Sequence, residues 1–125
     1  MSTARRAKLV AVVDDDALLR DALRRLLKAS GFGAVSFESA ENLLNSDRLP
    51  EIACLIADVR MPGMSGLELQ AKLKAERCPI PIIFITAHGD TKMRIQAMCD
   101  GAAEFLTKPF DNTVLLELVH AALGD

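Results

Sequence analysis

The chain has 125 residues, of which 50% are apolar and 26% are charged, with a formal net charge of −2. This length fits a single compact domain, and the composition excludes both a disordered tail and a fibrous repeat. Fifteen Lys and Arg residues stand against seventeen Asp and Glu residues, so the charge does not favour direct nucleic-acid binding through a large basic surface.

The N-terminal segment and the cysteines bear on the location of the chain. Residues 1–8 are basic, but the apolar run that follows, Leu9–Val13, ends at Asp14 and is too short for a signal peptide or a membrane span. We predict an N-terminal extension over residues 1–8 and a single domain over residues 9–124. The 3 cysteines are accompanied by only 2 histidines, which favours neither a disulfide framework nor a zinc site. A reduced, cytoplasmic setting without membrane contact fits these features.

The first predicted strand is followed by the clearest helical pattern of the chain. Leu9–Val13 is apolar at every position, which is typical of a strand in a parallel sheet that helices cover on both faces. Apolar residues then recur at helical spacing over Leu19–Leu27, with charged residues on the opposite face. Asp16 is the expected N-cap of this helix, and Gly31 suits its end.

The middle of the chain predicts two more strands and two shorter helices. Gly33–Phe37 mixes apolar residues with a serine, as a strand near a sheet edge does, and Ala40–Asn45 predicts a short helix. Ile52–Ala57 is a second fully apolar run and predicts another central strand. Ser65–Ala75 predicts the third helix.

The C-terminal part continues the alternation of strands and helices. Ile80–Ile85 predicts a third central strand, and Ala103–Thr107 predicts a strand nearer an edge. Between them we predict a helix that begins after an Asp90 cap and faces the core with four residues, Ile95, Met98, Cys99 and Ala102. Leu115–Leu123 has the spacing of a fifth helix. Five β–α units imply a three-layer α/β/α sandwich around a parallel sheet, with right-handed crossovers.

Polar residues follow four of the predicted strands. In an open parallel sheet, ligands bind in the crevice at the carboxyl ends of the strands. The residues at these ends are Asp14, Asp15 and Asp16 after the first strand, Asp58 after the third, Thr86 after the fourth and Lys108 after the fifth. Asp16 is explained more simply as the helix cap than as a metal ligand.

This set of side chains suits a hard cation and phosphate chemistry. Mg²⁺ prefers oxygen ligands, and Asp14, Asp15 and Asp58 offer carboxylates. A carboxylate can also attack phosphorus and form an aspartyl phosphate when nearby positive charge neutralises the transferring group. Lys108 and the metal are the candidates for that charge, and the Thr86 hydroxyl can donate a hydrogen bond to a phosphoryl oxygen.

Four motifs closely resemble the receiver domain of bacterial two-component response regulators. They are Val12–Asp16, Ile56–Gly66, Phe84–Ala87 and Phe105–Phe110. They occur in the family's order and at its spacing, and segments 60–66 and 87–90 look most like the receivers of FixJ-type transcription regulators. The resemblance implies a flavodoxin-like, five-stranded parallel sheet in the order 2-1-3-4-5.

The resemblance also implies the roles of individual site residues. Asp58 would accept a phosphoryl group from the phosphohistidine of a sensor histidine kinase. Asp15, Asp58 and the Arg60 carbonyl would bind Mg²⁺ directly, whereas Asp14 would act mainly through water. Lys108 would pair with the phosphoryl group.

Two further residues would carry the signal away from the site. Thr86 would move toward the phosphoryl group, and Phe105 would be the aromatic switch that turns inward in response. Phe105 has no hydroxyl where many receivers carry tyrosine, and His88 occupies a position that varies in the family. The resemblance also favours a cis bond between Lys108 and Pro109.

The implied function is a phosphorylation-activated switch, and not an enzyme with a separate substrate. The domain would catalyse only its own phosphoryl transfer and dephosphorylation. Phosphorylation would change the surface formed by the fourth helix, fifth strand and fifth helix, and thereby partner binding or homodimer formation. Because FixJ-type receivers usually precede a DNA-binding domain, transcription would be regulated through a domain that is not present in this chain.

Two other classes of protein remain open from the residues alone. A phosphatase of the haloacid dehalogenase type also has an Asp nucleophile after its first strand, and Asp14 and Asp16 superficially fit its pattern. However, Leu18 stands where that pattern has Thr or Val, and 125 residues leave little room for a substrate cap. The second alternative is an interaction module that keeps this fold but does not depend on phosphorylation.

Overall fold

A computed structural model describes residues 9–87 and 91–124 of the chain, so the predicted extension over residues 1–8 lies outside the described residues. The strands are β1 (Leu9–Val13), β2 (Gly33–Phe37), β3 (Ile52–Asp58), β4 (Ile82–Thr86) and β5 (Glu104–Thr107). All neighbouring strands are parallel, and their order is β2-β1-β3-β4-β5. The predicted sheet order is confirmed, and the two strands predicted to lie nearer an edge are the edge strands.

In the described part of the chain, five α-helices connect the strands or follow the last one. They are α1 (Ala17–Ala29), α2 (Ala40–Leu44), α3 (Gly66–Ala75), α4 (Thr91–Cys99) and α5 (Asn112–Leu123), and a 3₁₀ turn lies at Leu49–Glu51. Asp16 caps α1 as predicted, since its carboxylate accepts hydrogen bonds from the backbone N–H groups of Leu18 and Leu19. In the described residues, no helix has the length and apolar character that crossing a membrane requires.

The helices cover both faces of the sheet. Successive residues of β1 enter opposite cores, because side chains alternate along a strand: Ala11 packs with α2, α3 and α4, whereas Val12 packs with α1 and α5. On the second face, Leu27 of α1 and Leu115 of α5 are fully buried. This double burial explains why the central strands are apolar at nearly every position, and it confirms the three-layer arrangement.

The predicted core face of the fourth helix is wrong. Ile95 is 57% exposed and Met98 is 39% exposed, Cys99 is exposed as well, and Ala102 is buried but lies beyond the end of the helix. Ala97 is the buried residue of α4. Helical spacing identifies a stripe of apolar residues but not the stripe that faces the sheet, and here α4 buries Ala97, whose carbonyl accepts a hydrogen bond from Gln70 of α3 at 3.0 Å. The predicted Asp90 cap lies outside the described residues.

The start of β4 also differs from the prediction. The apolar run begins at Ile80, whereas the strand begins at Ile82. Pro79 and Pro81 have no backbone N–H to donate to a ladder, although the Pro81 carbonyl still accepts a hydrogen bond from the Leu55 N–H at 2.9 Å. The two prolines therefore delay the strand and leave a loop beside α3.

Candidate functional site

The carboxyl ends of four strands bring together the residues that sequence analysis selected. Asp58 ends β3 and Thr86 ends β4, whereas Asp14 directly follows β1 and Lys108 directly follows β5. One carboxylate oxygen from each of Asp14, Asp15 and Asp58 lies within 4.8 Å of the other two. The parallel topology thus forms this acidic cluster and brings together residues as far apart along the chain as Asp14 and Lys108, which are separated by 94 positions.

Lys108 lies between two carboxylates of this cluster. Its Nζ atom is 3.3 Å from Oδ2 of Asp14 and 3.3 Å from Oδ2 of Asp58. Its backbone N–H donates a hydrogen bond to the Thr86 carbonyl at 2.7 Å, which fixes the start of the loop after β5. The bond between Lys108 and Pro109 is cis, as the family resemblance favours.

Backbone donors hold the other carboxylate oxygens. The Asp16 N–H donates to Oδ1 of Asp14 at 2.9 Å, and the Arg60 N–H donates to Oδ1 of Asp58 at 3.1 Å. Each of these two aspartates therefore has one oxygen on a backbone N–H and the other toward Lys108. The loops after β1 and β3 set the direction of both side chains before any ligand binds.

The electrostatics of the cluster are only partly balanced. Burial raises the pKa of Asp14, the Asp16 N–H opposes this shift, and the nearby charge of Asp58 adds to it, so the pKa lies above its usual value despite Lys108. Burial lowers the pKa of Lys108, but the charges and hydrogen bonds of Asp14 and Asp58 outweigh burial and raise the pKa overall. The lysine thus stays charged, and among the described residues it is the cation that pairs with the carboxylates of Asp14 and Asp58.

The donor set of the cluster fits a magnesium ion. All three side chains offer carboxylate oxygens, and further positive charge would offset the burial and the nearby charge of Asp58 that raise the pKa of Asp14. Asp14 is fully buried and Asp58 is nearly so, whereas Asp15 is exposed. The cluster is therefore open toward solvent on one side, which suits an ion that retains several water ligands.

The start of α3 presses against the backbone of Asp58. A Cβ atom on Gly66 would lie 2.3 Å from the Asp58 carbonyl oxygen, and the Gly66 N–H donates to the Val59 carbonyl at 2.8 Å. Only glycine fits so close to another backbone. Ser65 and Glu68 form a capping box at this end of α3. This close contact anchors the loop that follows Asp58.

The sequence matches the response regulator receiver domain family over residues 10–120. The chain belongs to this family. It is 43% identical over 114 residues to the transcriptional regulatory protein FixJ of Bradyrhizobium diazoefficiens, a match that covers 90% of this chain and 55% of that protein. It is 44% identical over 118 residues to the response regulator protein TodT of Pseudomonas putida, covering 94% of this chain and 52% of that protein.

Solved structures agree with this assignment. The FixJ-N crystal structure has a TM-score of 0.84 and 39% identity, and the match covers 94% of each chain. The response regulator StyR has a TM-score of 0.86 and 49% identity, with 94% of this chain and 59% of that chain covered. The receiver spans about half the length of the curated relatives FixJ and TodT. The family establishes it as a phosphorylation-dependent signalling domain.

Both predicted switch residues of the receiver are buried. Thr86 is buried at the end of β4. Phe105 is buried in the core, and its ring centroid is 6.3 Å from that of Phe84, which it faces across the β4–β5 ladder. Phe105 therefore already points inward in this structure, and its role as a switch stays a prediction. His88 lies outside the described residues.

Sequence reasoning missed two long side chains that hold the loops of the receiver site. Nη1 of Arg20 donates to the Asp14 carbonyl at 2.7 Å, and Oε2 of Glu41 accepts from the Met64 N–H at 3.0 Å. Arg20 lies in the first turns of α1, close enough to reach back to the strand end, a position that could have indicated this contact. No local sequence signal links Glu41 to a loop 23 residues away.

Asp16 lies apart from the acidic cluster. Its Oδ1 atom accepts from the Leu18 N–H at 3.0 Å and from the Leu19 N–H at 3.3 Å, and it is absent from the group of carboxylates that lie within 4.8 Å of one another. A phosphatase of the haloacid dehalogenase type needs the second aspartate of its motif at the reacting group. The cap on α1 and the family membership both exclude that alternative.

Proposed function

We propose that Asp58 is the phosphoryl acceptor and that a sensor histidine kinase is the donor. The observation that supports this role is the position of Lys108, with Nζ 3.3 Å from Oδ2 of both Asp58 and Asp14, inside a cluster of three carboxylates. Asp58 also ends a central strand and is nearly buried. Its carboxylate is therefore held at an exact place beside a fixed positive charge.

The reaction is a transfer from nitrogen to a carboxylate oxygen. An oxygen of Asp58 forms a bond to phosphorus while the bond between phosphorus and the kinase imidazole breaks, and the imidazole nitrogen takes the electron pair. Lys108 stabilises the negative charge of the phosphoryl oxygens. In the later hydrolysis, water replaces the Asp58 oxygen on phosphorus, which frees the carboxylate and ends the signal.

Magnesium belongs to this proposal as the resident cofactor. Asp15, Asp58 and the Arg60 carbonyl would hold the ion directly, and Asp14 would act mainly through water. When bound, Mg²⁺ supplies positive charge that allows an anionic phosphoryl group to approach an anionic carboxylate. The chain itself buries the carboxylates of Asp14 and Asp58 and keeps Lys108 charged.

The signal then passes to the face formed by α4, β5 and α5. A phosphoryl group adds about −1.5 to −2 charges and three acceptor oxygens, which draws Lys108 and the Thr86 hydroxyl and gives Phe105 a new environment. Both helices of this face expose apolar side chains, since Ile95 of α4 and Val114 of α5 are exposed. We propose that this face binds a partner or a second copy of the receiver when Asp58 is phosphorylated.

The output of the whole protein is part of the same proposal. FixJ is named a transcriptional regulatory protein, and the receiver covers 55% of it. By analogy, the receiver regulates transcription through a further domain and does not bind DNA itself. The location proposed is the cytoplasm, where reduced thiols persist, and all 3 cysteines of the sequence are free.

Phosphorylation by a small donor tests the proposal directly. Incubation of the receiver with acetyl phosphate and Mg²⁺, followed by intact-mass spectrometry, should show one phosphoryl adduct that is acid-stable and base-labile. Asp58→Asn should give none, whereas Asp47→Asn, which removes an exposed carboxylate before the start of β3, the strand that Asp58 ends, should give the wild-type result. No adduct on the wild type, or an adduct that persists in Asp58→Asn, contradicts the proposal.

A further inference from the structure

A cavity lies at the amino ends of the strands, whereas the acidic cluster lies at their carboxyl ends. It has a volume of about 540 Å³ and lies between α3, the loop before β4 and the residues that follow α4. Its wall includes Ile82, the first residue of β4, whereas Thr86 at the acidic cluster is the last residue of the same strand. The cavity is thus separate from the phosphorylation site, and its volume is in the range of small-molecule sites.

The floor of this cavity is apolar. Leu73 of α3 and Ile82 are buried, and Ile80 between the two prolines is half-buried. The shape has an origin in the sequence, because Pro79 and Pro81 keep the chain out of the sheet until Ile82 and leave space beside α3. The floor can therefore accept the hydrocarbon part of a ligand without the loss of any backbone hydrogen bond.

Gln70 forms part of the wall and has one unused polar atom. The residue is 4% exposed, and its Nε2 donates to the Ala97 carbonyl at 3.0 Å. Oε1 of the same amide is buried, and no hydrogen-bond donor of the described residues contacts it. A buried acceptor without a donor is costly and uncommon in native proteins. Because Oε1 is closed off from solvent, a ligand N–H or O–H group can supply the missing donor once the Gln70 side chain turns toward the cavity.

The rim of the cavity is positively charged. Lys74 and Arg77 are exposed on one side, and Asp100 is the carboxylate on the other. Neither cation forms an ion pair with any residue that the structure describes. The ion pair of α3 is formed instead by Lys72, with Glu76. Two unpaired cations against one carboxylate favour an anionic group at the mouth.

We propose that this cavity binds a small amphipathic anion. Its apolar body lies on Leu73, Ile80 and Ile82, its acidic group meets Lys74 and Arg77, and a hydrogen-bond donor on the ligand reaches Gln70 or Asp100. This ligand class follows from the chemistry of the wall and rim, and it is independent of phosphorylation of Asp58. The site adds a binding function to the face of the receiver that the phosphoryl group does not contact.

The test uses two dyes that differ in one group. 8-Anilinonaphthalene-1-sulfonate has an aromatic body, a sulfonate and an N–H donor, and N-phenyl-1-naphthylamine is the same frame without the sulfonate. Titration of the isotope-labelled receiver should give saturable 1:1 binding of the sulfonate dye, with amide shifts centred on Gln70, Leu73 and Ile82. Shifts centred elsewhere, or the absence of saturable binding, would overturn the proposal.

Charge variants separate the proposed site from general dye binding. Lys74→Gln combined with Arg77→Gln should weaken the sulfonate dye about tenfold, the effect of two lost charge contacts, and should change the neutral dye by less than about twofold. Lys28→Gln combined with Arg48→Gln removes two exposed cations elsewhere and should leave both affinities unchanged. Because all four side chains are exposed, an unchanged amide spectrum should verify the fold of each variant.

Three results would contradict the assignment. Equal losses for both dyes would mean that charge does not select the ligand, and equal losses in both pairs of variants would mean that the location is wrong. Cavity amide signals that move on dilution without any dye would assign the groove to a second copy of the chain.

Discussion

Two helices of the receiver are held to the sheet in different ways. In α1, Leu23 and Leu27 are buried, and the Asp16 cap fixes the N-terminal end. In α4, Ala97 is the buried residue, and Ile95 is largely exposed. Since burial of apolar side chains supplies most of the stability of a helix in a protein, α1 forms part of a fixed frame and α4 is held lightly.

Polar contacts add to the packing of Ala97 and Met93 of α4 against the core. Nε2 of Gln70 donates to the Ala97 carbonyl at 3.0 Å, and Arg94 lies 3.9 Å from Glu104 of β5 in a largely exposed ion pair. Exposed ion pairs contribute little to stability. An element with few buried side chains can shift at low energetic cost, which makes α4 the expected responder to phosphorylation and α1 the reference.

Truncation of one large apolar side chain in each helix tests this difference and should give the largest effect. Leu27→Ala in α1 should lower the free energy of unfolding by about 2–5 kcal/mol, because it opens a cavity in a closed core. Ile95→Ala in α4 should lower it by less than about 1 kcal/mol, because the side chain is already 57% exposed. Urea denaturation followed by circular dichroism measures both, and equal losses would remove the distinction between the helices.

Two glycines extend the comparison to the ends of helices. Gly66→Ala should destabilise the receiver by about 1–3 kcal/mol, because its Cβ would meet the Asp58 carbonyl oxygen at 2.3 Å. It should also slow phosphorylation by acetyl phosphate. Gly101→Ala, after α4, meets nothing within 4 Å but has a φ of +98°, so we expect only the backbone cost of about 1–2 kcal/mol.

The phosphorylation rate separates these two glycine variants. Gly101→Ala should keep the wild-type rate, since the residue lies at the far edge of the sheet, whereas Gly66→Ala should not. A wild-type rate for Gly66→Ala would show that the contact between α3 and Asp58 is not needed to position the carboxylate.

The acidic cluster beside α1 also includes a carboxylate, Asp14, whose charged form lowers the free energy of unfolding. Because the pKa of Asp14 is raised above its usual value of 3.8, the folded state holds more protons than the unfolded state between these two values. The contribution of this group to stability therefore falls as pH rises through that interval. Asp14→Asn should raise the free energy of unfolding by about 1 kcal/mol at neutral pH in the presence of a chelator.

The pH dependence gives the control for this variant. The stabilisation by Asp14→Asn should shrink as pH is lowered toward the usual carboxyl pKa of about 4. At that pH the wild-type side chain is protonated in the folded state and is therefore uncharged, like asparagine. Asp47→Asn, at an exposed position, should show no comparable trend. A stabilisation that is the same at every pH would mean that the burial and repulsion of the charged Asp14 carboxylate are not its cause.

The sequence predicted the features that topology controls. Parallel strands place their carboxyl ends at one edge, so Asp14, Asp58 and Lys108 could be grouped without coordinates, and the structure places them together. The core face of α4 could not be predicted because it depends on α3, where the polar Gln70 is buried against Ala97. The Glu41 contact with the loop before α3 depends on tertiary packing in the same way.

Hydrogen exchange of the phosphorylated receiver measures whether α4 responds to phosphorylation while α1 stays fixed. The receiver is compared with and without acetyl phosphate in Mg²⁺, at short exchange times where local opening dominates, and Asp58→Asn treated identically is the control. We predict that exchange changes most over Thr91–Cys99 of α4 and stays constant over Ala17–Ala29 of α1. Equal changes in both helices, no change in α4, or the same change in Asp58→Asn would contradict the account.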